Sequence, residues 1–378
     1  MSYALATIWH ERSRFLPAIL AVAFSAVLIA VQAGLLVGLL SMMSTPVDKA
    51  GADVWVGYPG VRSVDLGQAI PAHYRNRVAS QPEVREVEDV VMGFAQWVVP
   101  ANANRKSTLI EACMIIGTRL DGHSIAAAEP LRHDEKLMAA LAEPYTVLID
   151  RSERGRLGVN IGDKAVIMGR AVRVVGFVEG LRSLGGAYIF CSKETARQLL
   201  YLTETQTTYI VARCANPADA QAVADRLQQY PNMSALTRDE FSVRSRMHWM
   251  MTTKAGLALA FTAMLGLLVG AVVTSQTLYA ATAAAQREYA TLRAMGIPRW
   301  RLKVSVLAQS FWVGLGGLIV AAPITLALAQ AATMINIHVR LSPIIVLPAG
   351  VITMAMALGS GLLALRSLQR TDPVHNIR

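Results

Sequence analysis

Apolar positions run almost unbroken over four stretches of this chain, at roughly 15 to 41, 255 to 281, 305 to 334 and 343 to 366. Each exceeds the roughly 20 residues that a helix needs to cross a bilayer. Between the first and second stretches the pattern changes, and short alternating runs replace the continuous ones. PEVREVEDVVMGFAQWVV and STLIEACMIIGT contain β-branched, strand-like segments, and YTVLIDRSERGRLGVNIGDKAVIMGRAVRVVGFVEG alternates strand-like segments with glycine-containing turns. NPADAQAVADRLQQY predicts a helix, with Asn216 as N-cap, Pro217 in the first helical position and an apolar stripe at Ala220, Val223 and Leu227. The pattern predicts a membrane protein of four transmembrane helices with a large mixed α/β domain inserted between helices 1 and 2. A β-rich subdomain is expected at about 145–205 of that insert. The short NIHVRLSP segment reads as a tight hairpin between the last two helices, with Pro343 opening the fourth.

Composition agrees with a membrane setting. Of 378 residues, 53% are hydrophobic and only 16% charged. The net charge of +10 is not gathered into a basic tract interleaved with aromatics, so a nucleic-acid partner is not expected. A basic start (His10, Arg12, Arg14) precedes the run from Phe15 to Leu40, which is longer than the roughly 7 to 15 residues of a signal-peptide core, so the run reads as a retained helix. Arg12 and Arg14 precede the first helix, Arg287, Arg293, Arg299, Arg301 and Lys303 lie between the second and third, and Arg366, Arg370 and Arg378 follow the fourth. The positive-inside rule then puts both termini in the cytoplasm and the large insert outside, in a periplasm or the extracellular space. Arg244, Arg246 and Lys254 pull the other way, but the insert they end is too long for its charges to dominate. The expected division is a cytoplasmic N-terminus with helix 1 (1–43), the outer domain (44–250), helix 2 (251–286), a cytoplasmic segment (287–302), helices 3 and 4 (303–366) and a cytoplasmic tail (367–378).

Chemistry is sparse. There is no GxxxxGK[ST] phosphate loop, no HExxH zinc helix and no GxSxG elbow, so no catalytic or metal-ligating residues are assigned and the chain is not expected to be an enzyme. Cys113, Cys191 and Cys214 share no metal-binding spacing and read as small buried side chains. The spans carry almost no charge, which leaves a proton relay without carriers. Two of them repeat one pentapeptide, GLLVG, at Gly34–Gly38 and Gly266–Gly270. Glycines four apart let two helices approach closely, within or between subunits, or are merely tolerated in lipid. At the outer mouth of helix 2 stand Met247, His248, Trp249, Met250 and Met251, with Met42 and Met43 ending helix 1 at a similar depth. These residues suit a soft lining for an amphiphilic ligand, with Met and His also able to ligate haem iron, or alternatively an interfacial Trp anchor with gap-filling methionines.

The segment REYATLRAMGIPRWRL, residues 287–302, remains. Tyr289, Leu292 and Met295 recur at three-residue spacing up to Gly296, where Gly and then Pro298 stop a helix. It reads either as a basic anchor at anionic headgroups or as a helix that docks in a groove of a cytoplasmic partner.

TLYAATAAAQREYATLRAMGIPRWRLKVSVLAQS resembles the cytoplasmic signature of the FtsX/MacB-type ABC-transporter permeases, R-E-x-x-x-L-R-A-x-G, matched by Arg287, Glu288, Leu292, Arg293, Ala294 and Gly296. The ending, Thr371 to Arg378, resembles the family's D-P-x-x-x-L-R tail, with Ile377 in the usual Leu position. SQTLYAAT and GADVWVGYPG are most similar to a DevC-like branch. The resemblance implies a non-catalytic permease subunit of an exporter in the bacterial inner membrane, paired with a second copy of itself. A separate cytoplasmic ABC ATPase would bind ATP and magnesium and dock on Arg287, Glu288, Tyr289, Leu292, Arg293, Met295, Gly296 and Arg299. No cofactor is expected in this chain, and contact with membrane lipids is. A membrane-fusion adaptor and an outer-membrane exit duct are partners the branch implies. An amphiphile of lipid, haem or hydrophobic-drug class would be the cargo. The same architecture also serves regulators that relay ATPase state to an outer enzyme, and lipoprotein-extraction permeases.

Overall fold

The computed structural model describes His10 and residues 12–101, 107–132, 134–183, 185–252, 254–284, 299–334 and 341–370. The chain divides into two compact units, a helical one of Met1–Gly38 with Lys254–Arg378 and an α/β one of Leu39–Thr253.

The helical unit contains the long helices Arg12–Met42, Lys254–Ala284, Arg299–Met334 and Pro343–Arg370. Among the described residues three stretches are long and apolar enough to cross a membrane, Phe15–Met42, Val304–Ala332 and Pro343–Leu362, while the helix Lys254–Ala284 contributes the shorter apolar stretch Ala260–Val273. Pro343 opens the last helix, where its missing N–H would have no partner in any case. Apolar residues of mixed size meet in its core: Phe15, Ala18 and Val22 of the first helix pack against Val313 and Ala357 of the last two. Lipid gives apolar side chains no reason to leave it, so close van der Waals contact between helix backbones carries the association.

The α/β unit is built on strands β1 (Val54–Gly57), β2 (Ile70–Pro71), β3 (Val84–Val99), β4 (Leu109–Thr118), β5 (Thr146–Asp150), β6 (Lys164–Ile167), β7 (Arg170–Val178), β8 (Ala187–Ser192), β9 (Gln206–Thr207), β10 (Tyr209–Cys214) and β11 (Ser234–Thr237). Nine of them form one sheet in the order β11-β1-β10-β3-β4-β8-β5-β7-β6. The 16-residue β3 organises it. Its first part, up to Val90, pairs with β10, and its second, from Val91, with β4. Trp97 and Val98 pair in addition with Ile167 and Val166 of β6, which closes β3-β4-β8-β5-β7-β6 into a ring. Closure removes the free edges that an open sheet would expose. The ring thus draws on β3 and β4, which precede the 145–205 segment read from sequence as β-rich, because one strand is long enough to belong to both halves of the sheet.

The period of two along the strands sorts side chains between cores. On β4, Cys113 and Ile115 join a core to which all six ring strands contribute, with Trp97, Ile149, Ile167, Val174 and Ile189. Met114 and Ile116 turn to the other face and join Trp55, Tyr209 and Phe241. A third core lies under the open half, where the helix Ala220–Gln228 buries Ala220, Val223 and Leu227 against Val54, Ile210 and Ala235. Asn216 accepts a hydrogen bond from the Ala218 amide (3.2 Å) and caps the short turn Pro217–Asp219 that leads into this helix.

Candidate functional site

The docking residues inferred from the family signature, Arg287, Glu288, Tyr289, Leu292, Arg293, Met295 and Gly296, lie outside the described residues, and Arg299 opens the helix Arg299–Met334. Of the glycine pairs, Gly34 and Gly38 are buried in the helix Arg12–Met42, and Gly266 and Gly270 lie on the helix Lys254–Ala284. Gly266 packs against Leu28, whose side chain fills the place a Cβ would take. Four residues from Leu28 along the same helix, Gln32 accepts a hydrogen bond from Thr262 (3.3 Å), so helices 1 and 2 share both a close approach and a polar contact.

In the α/β unit, the segments that lead in from helix 1 and out towards helix 2 are fastened to each other. The leading-out element is the helix Arg238–Thr252. Thr237 and Glu240 start it by reciprocal hydrogen bonds, the Thr237 amide donating to Glu240 Oε2 (3.0 Å) and the Glu240 amide to Thr237 Oγ1 (3.3 Å). This capping box satisfies two of the N–H groups that a helix start leaves open. One turn on, Phe241 enters the core between Trp55 and Tyr209, with ring centroids 5.9 and 5.7 Å away. Ser242, Ser245 and Trp249 follow at roughly one-turn spacing and turn the same face polar.

That face meets the short helix Thr45–Lys49. Asp48 accepts hydrogen bonds from Ser242 Oγ (2.6 Å) and Ser44 Oγ (2.8 Å) and pairs with the Arg246 guanidinium, while Arg246 Nε donates to Ser44 Oγ (2.7 Å). A second group of contacts holds the 61–65 loop. The Val64 amide donates to Ser245 Oγ (3.0 Å), and Trp249 Nε1 donates to the buried Asp65 (3.1 Å). Tyr188 on β8 donates to the Met42 carbonyl (3.2 Å), and its burial raises the phenol pKa well above the ordinary tyrosine range, which keeps it a donor. Charge-assisted bonds such as those at Asp48 are shorter and stronger than neutral ones. These contacts tie the two segments to each other and to the sheet.

The opposite face of the Arg238–Thr252 helix is exposed and apolar. Val243, Met247 and Met251 repeat every fourth residue and line, with Arg62, Arg244 and His248, an open cleft of about 810 Å³. Beyond His248 and Arg62 a second cleft of about 840 Å³ runs to Phe94. The structure thus brings Met247, His248 and Met251 to one cleft, turns Trp249 towards Asp65, leaves Met42 and Met250 half-buried and buries Met43. Sequence reading passed over Asp48, Ser44 and Ser242, and took Arg246 only for a topology signal. The available signal was the four-residue spacing of Ser44 with Asp48 and of Ser242 with Arg246, at the two ends of the insert.

No group of His, Cys, Asp and Glu side chains among the described residues has the geometry to hold a metal ion. All three cysteines are buried; burial pushes the Cys113 thiol up to about 12 and the Cys214 thiol up to about 11, so neither is a thiolate near neutrality.

Two family models match the chain, the MacB-like periplasmic core domain over residues 15–230 and the FtsX-like permease C-terminal domain over residues 260–373. Among solved structures, the periplasmic region of MacB from Actinobacillus actinomycetemcomitans is similar at 12% identity, covering 55% of this chain and 96% of that one, with a TM-score of 0.34. The extracellular domain of the noncanonic ABC-type transporter YknZ from Gram-positive bacteria is similar at 8% identity, covering 48% and 98%, with a TM-score of 0.33. No curated protein matches. A MacB-like core domain over more than half the chain, followed by an FtsX-like permease domain, makes this chain a member of the FtsX/MacB-type ABC-transporter permeases.

Proposed function

We propose that this permease couples a separate cytoplasmic ABC ATPase to the efflux or extraction of an amphiphile, by moving its extracytoplasmic α/β unit. In this reading the chain spans the inner membrane four times with both termini inside, works as a pair, and catalyses nothing itself. The ATPase, which binds ATP and magnesium, docks on residues 287–302. Docking supplies a push on helix 2, and that push needs a stiff path to the α/β unit. The observation that carries the proposal is the clamp of Asp48 on Ser44, Ser242 and Arg246, which joins the segments adjoining helices 1 and 2. A charge-poor helical unit and a methionine-lined cleft favour an apolar or amphiphilic cargo over an ion.

The test is reconstitution of the chain with its ATPase in lipid vesicles. Amphiphile-stimulated ATP hydrolysis and release of amphiphile from the vesicles are expected, and Arg246→Ala is expected to lower both about tenfold while the ATPase stays bound. Coupling that is unchanged in Arg246→Ala removes the clamp from the mechanism. Hydrolysis that no amphiphile stimulates, together with activation of a periplasmic hydrolase, replaces the exporter by a regulator.

A further inference from the structure

Three arginines from distant parts of the chain, none of them lining either cleft, gather on the segment Asp48 to Gly51. Arg213 Nε donates to the Gly51 carbonyl (3.0 Å), Arg132 Nη2 lies 3.5 Å from the Lys49 carbonyl, and Arg238 Nη2 donates to the Asp48 carbonyl. The guanidinium tips of Arg132 and Arg213 converge on the hydrogen of Gly51, where a Cβ would meet Arg213 Nη2 and would lie 2.6 Å from Arg132 Nη1. Like charges in that proximity repel unless something negative lies among them.

The acceptors within reach do not use up the donors. A guanidinium carries five N–H groups and no acceptor. Three backbone carbonyls take one donor from each arginine, and Glu86 pairs with Arg213 at 3.4 Å. Arg132 makes no ion pair among the described residues, and its buried Nε has no protein acceptor. Burial, then the Arg213 charge, lowers the Arg132 pKa; Glu129 and, less, Glu88 oppose the loss and Arg238 adds to it. Capping the turn at Lys49 would need one arginine at most. Three, with a glycine that makes room for two of them, form a fork of the kind that holds oxyanions.

We propose that Arg132, Arg213 and Arg238 form an anion site on the α/β unit for a phosphate-type oxyanion, with Gly51 keeping its floor open. The phosphate belongs either to a phospholipid headgroup or to a soluble phosphate. None of the three arginines lines the methionine-lined cleft, and the site does not depend on the exporter reading. It gives the α/β unit a hold on an anion beside the same Asp48 segment that the clamp grips.

The test uses the full-length protein in detergent. Saturable binding of radiolabelled inorganic phosphate is measured by equilibrium dialysis, and retention of phosphatidylglycerol against a phosphate-free glycolipid by native mass spectrometry. Phosphate bound in dialysis assigns the soluble source; selective retention of phosphatidylglycerol alone assigns the headgroup. Arg132→Gln and Arg213→Gln should each lower the binding that is found by about tenfold or more. Arg132→Lys keeps the charge without the fork and should weaken it less, which separates loss of the site from loss of the fold. Absence of saturable binding of either probe to the wild-type chain overturns the proposal, as does binding left unchanged by Arg132→Gln in a protein whose elution and circular dichroism match wild type.

Discussion

Glu153 shows how much a single environment matters. It sits buried at the foot of the ring beside Arg156 (3.2 Å), and burial raises its carboxyl pKa above the ordinary value of 4.5 even though Arg156 opposes the shift. A carboxyl whose pKa is raised on folding binds its proton more tightly in the folded state. Its favourable contribution is complete below 4.5 and is lost as pH rises through the folded-state value. Glu153→Gln should therefore be as stable as wild type or more so near pH about 7, with the difference shrinking as pH falls to about 4, as read from thermal unfolding in detergent across pH. Glu88 is also buried, and its carboxyl oxygens accept hydrogen bonds from the amides of Arg119 (2.9 Å), Ile125 (2.8 Å) and Ala126 (3.2 Å) and from Ser124 Oγ. Glu88→Ala strands those donors and should cost about 3 kcal/mol or more, whereas Glu88→Gln, which keeps an acceptor, should cost less; denaturant titration of the two variants distinguishes them. The role of Glu88 is not legible in EVREVEDVV, where it looks like one more polar position of an alternating strand, because its partners lie some thirty residues or more away.

Among elements, the helix Arg238–Thr252 joins the most functions. Its capping box was readable as Thr-x-x-Glu, and its charged start argues for a helix N-terminus. Which side of it would be buried was not readable, since Phe241, Val243, Met247, Trp249 and Met251 surround the helix and only packing against Trp55 and Tyr209 selects Phe241. Phe241→Ala removes a fully buried ring from that cluster and should cost about 3–5 kcal/mol, measured by urea unfolding, whereas Val243→Ala on the exposed face should cost little. In the helical unit, Gly266→Val collides with Leu28 and adds a β-branched side chain where two helices touch. It should lower the detergent unfolding midpoint more than Gly350→Val, at a glycine with open space around it.

At the scale of the whole molecule, membership in the family implies an ABC ATPase partner and, often, dimerisation. Charge reversal in the proposed docking segment tests whether the ATPase holds on there. Glu288→Arg or Arg293→Glu should detach or uncouple the ATPase, seen as loss of co-purification or of stimulated hydrolysis, with membrane insertion unchanged. Full binding and transport in both variants would move the docking site elsewhere. Together with Arg246→Ala, this separates the handle from the transmission: the first pair fails at binding, the second at coupling.

By itself the sequence determined the long apolar helices, the large folded insert between the first and second, the strand-rich character of that insert and the family signature after the second helix. These depend on local periodicity and on motif spacing, which are properties of neighbours along the chain. Only the tertiary structure decided that β3 closes a ring with β6, that Gly266 faces Leu28, that Asp48 holds Arg246, and that Arg132 and Arg213 converge on Gly51. Each of those contacts joins residues dozens to hundreds apart, and no local period marks them. Their energy comes from close packing, as at Gly266, and from pairing polar groups that burial would otherwise leave without partners, and where burial falls is a property of the folded chain.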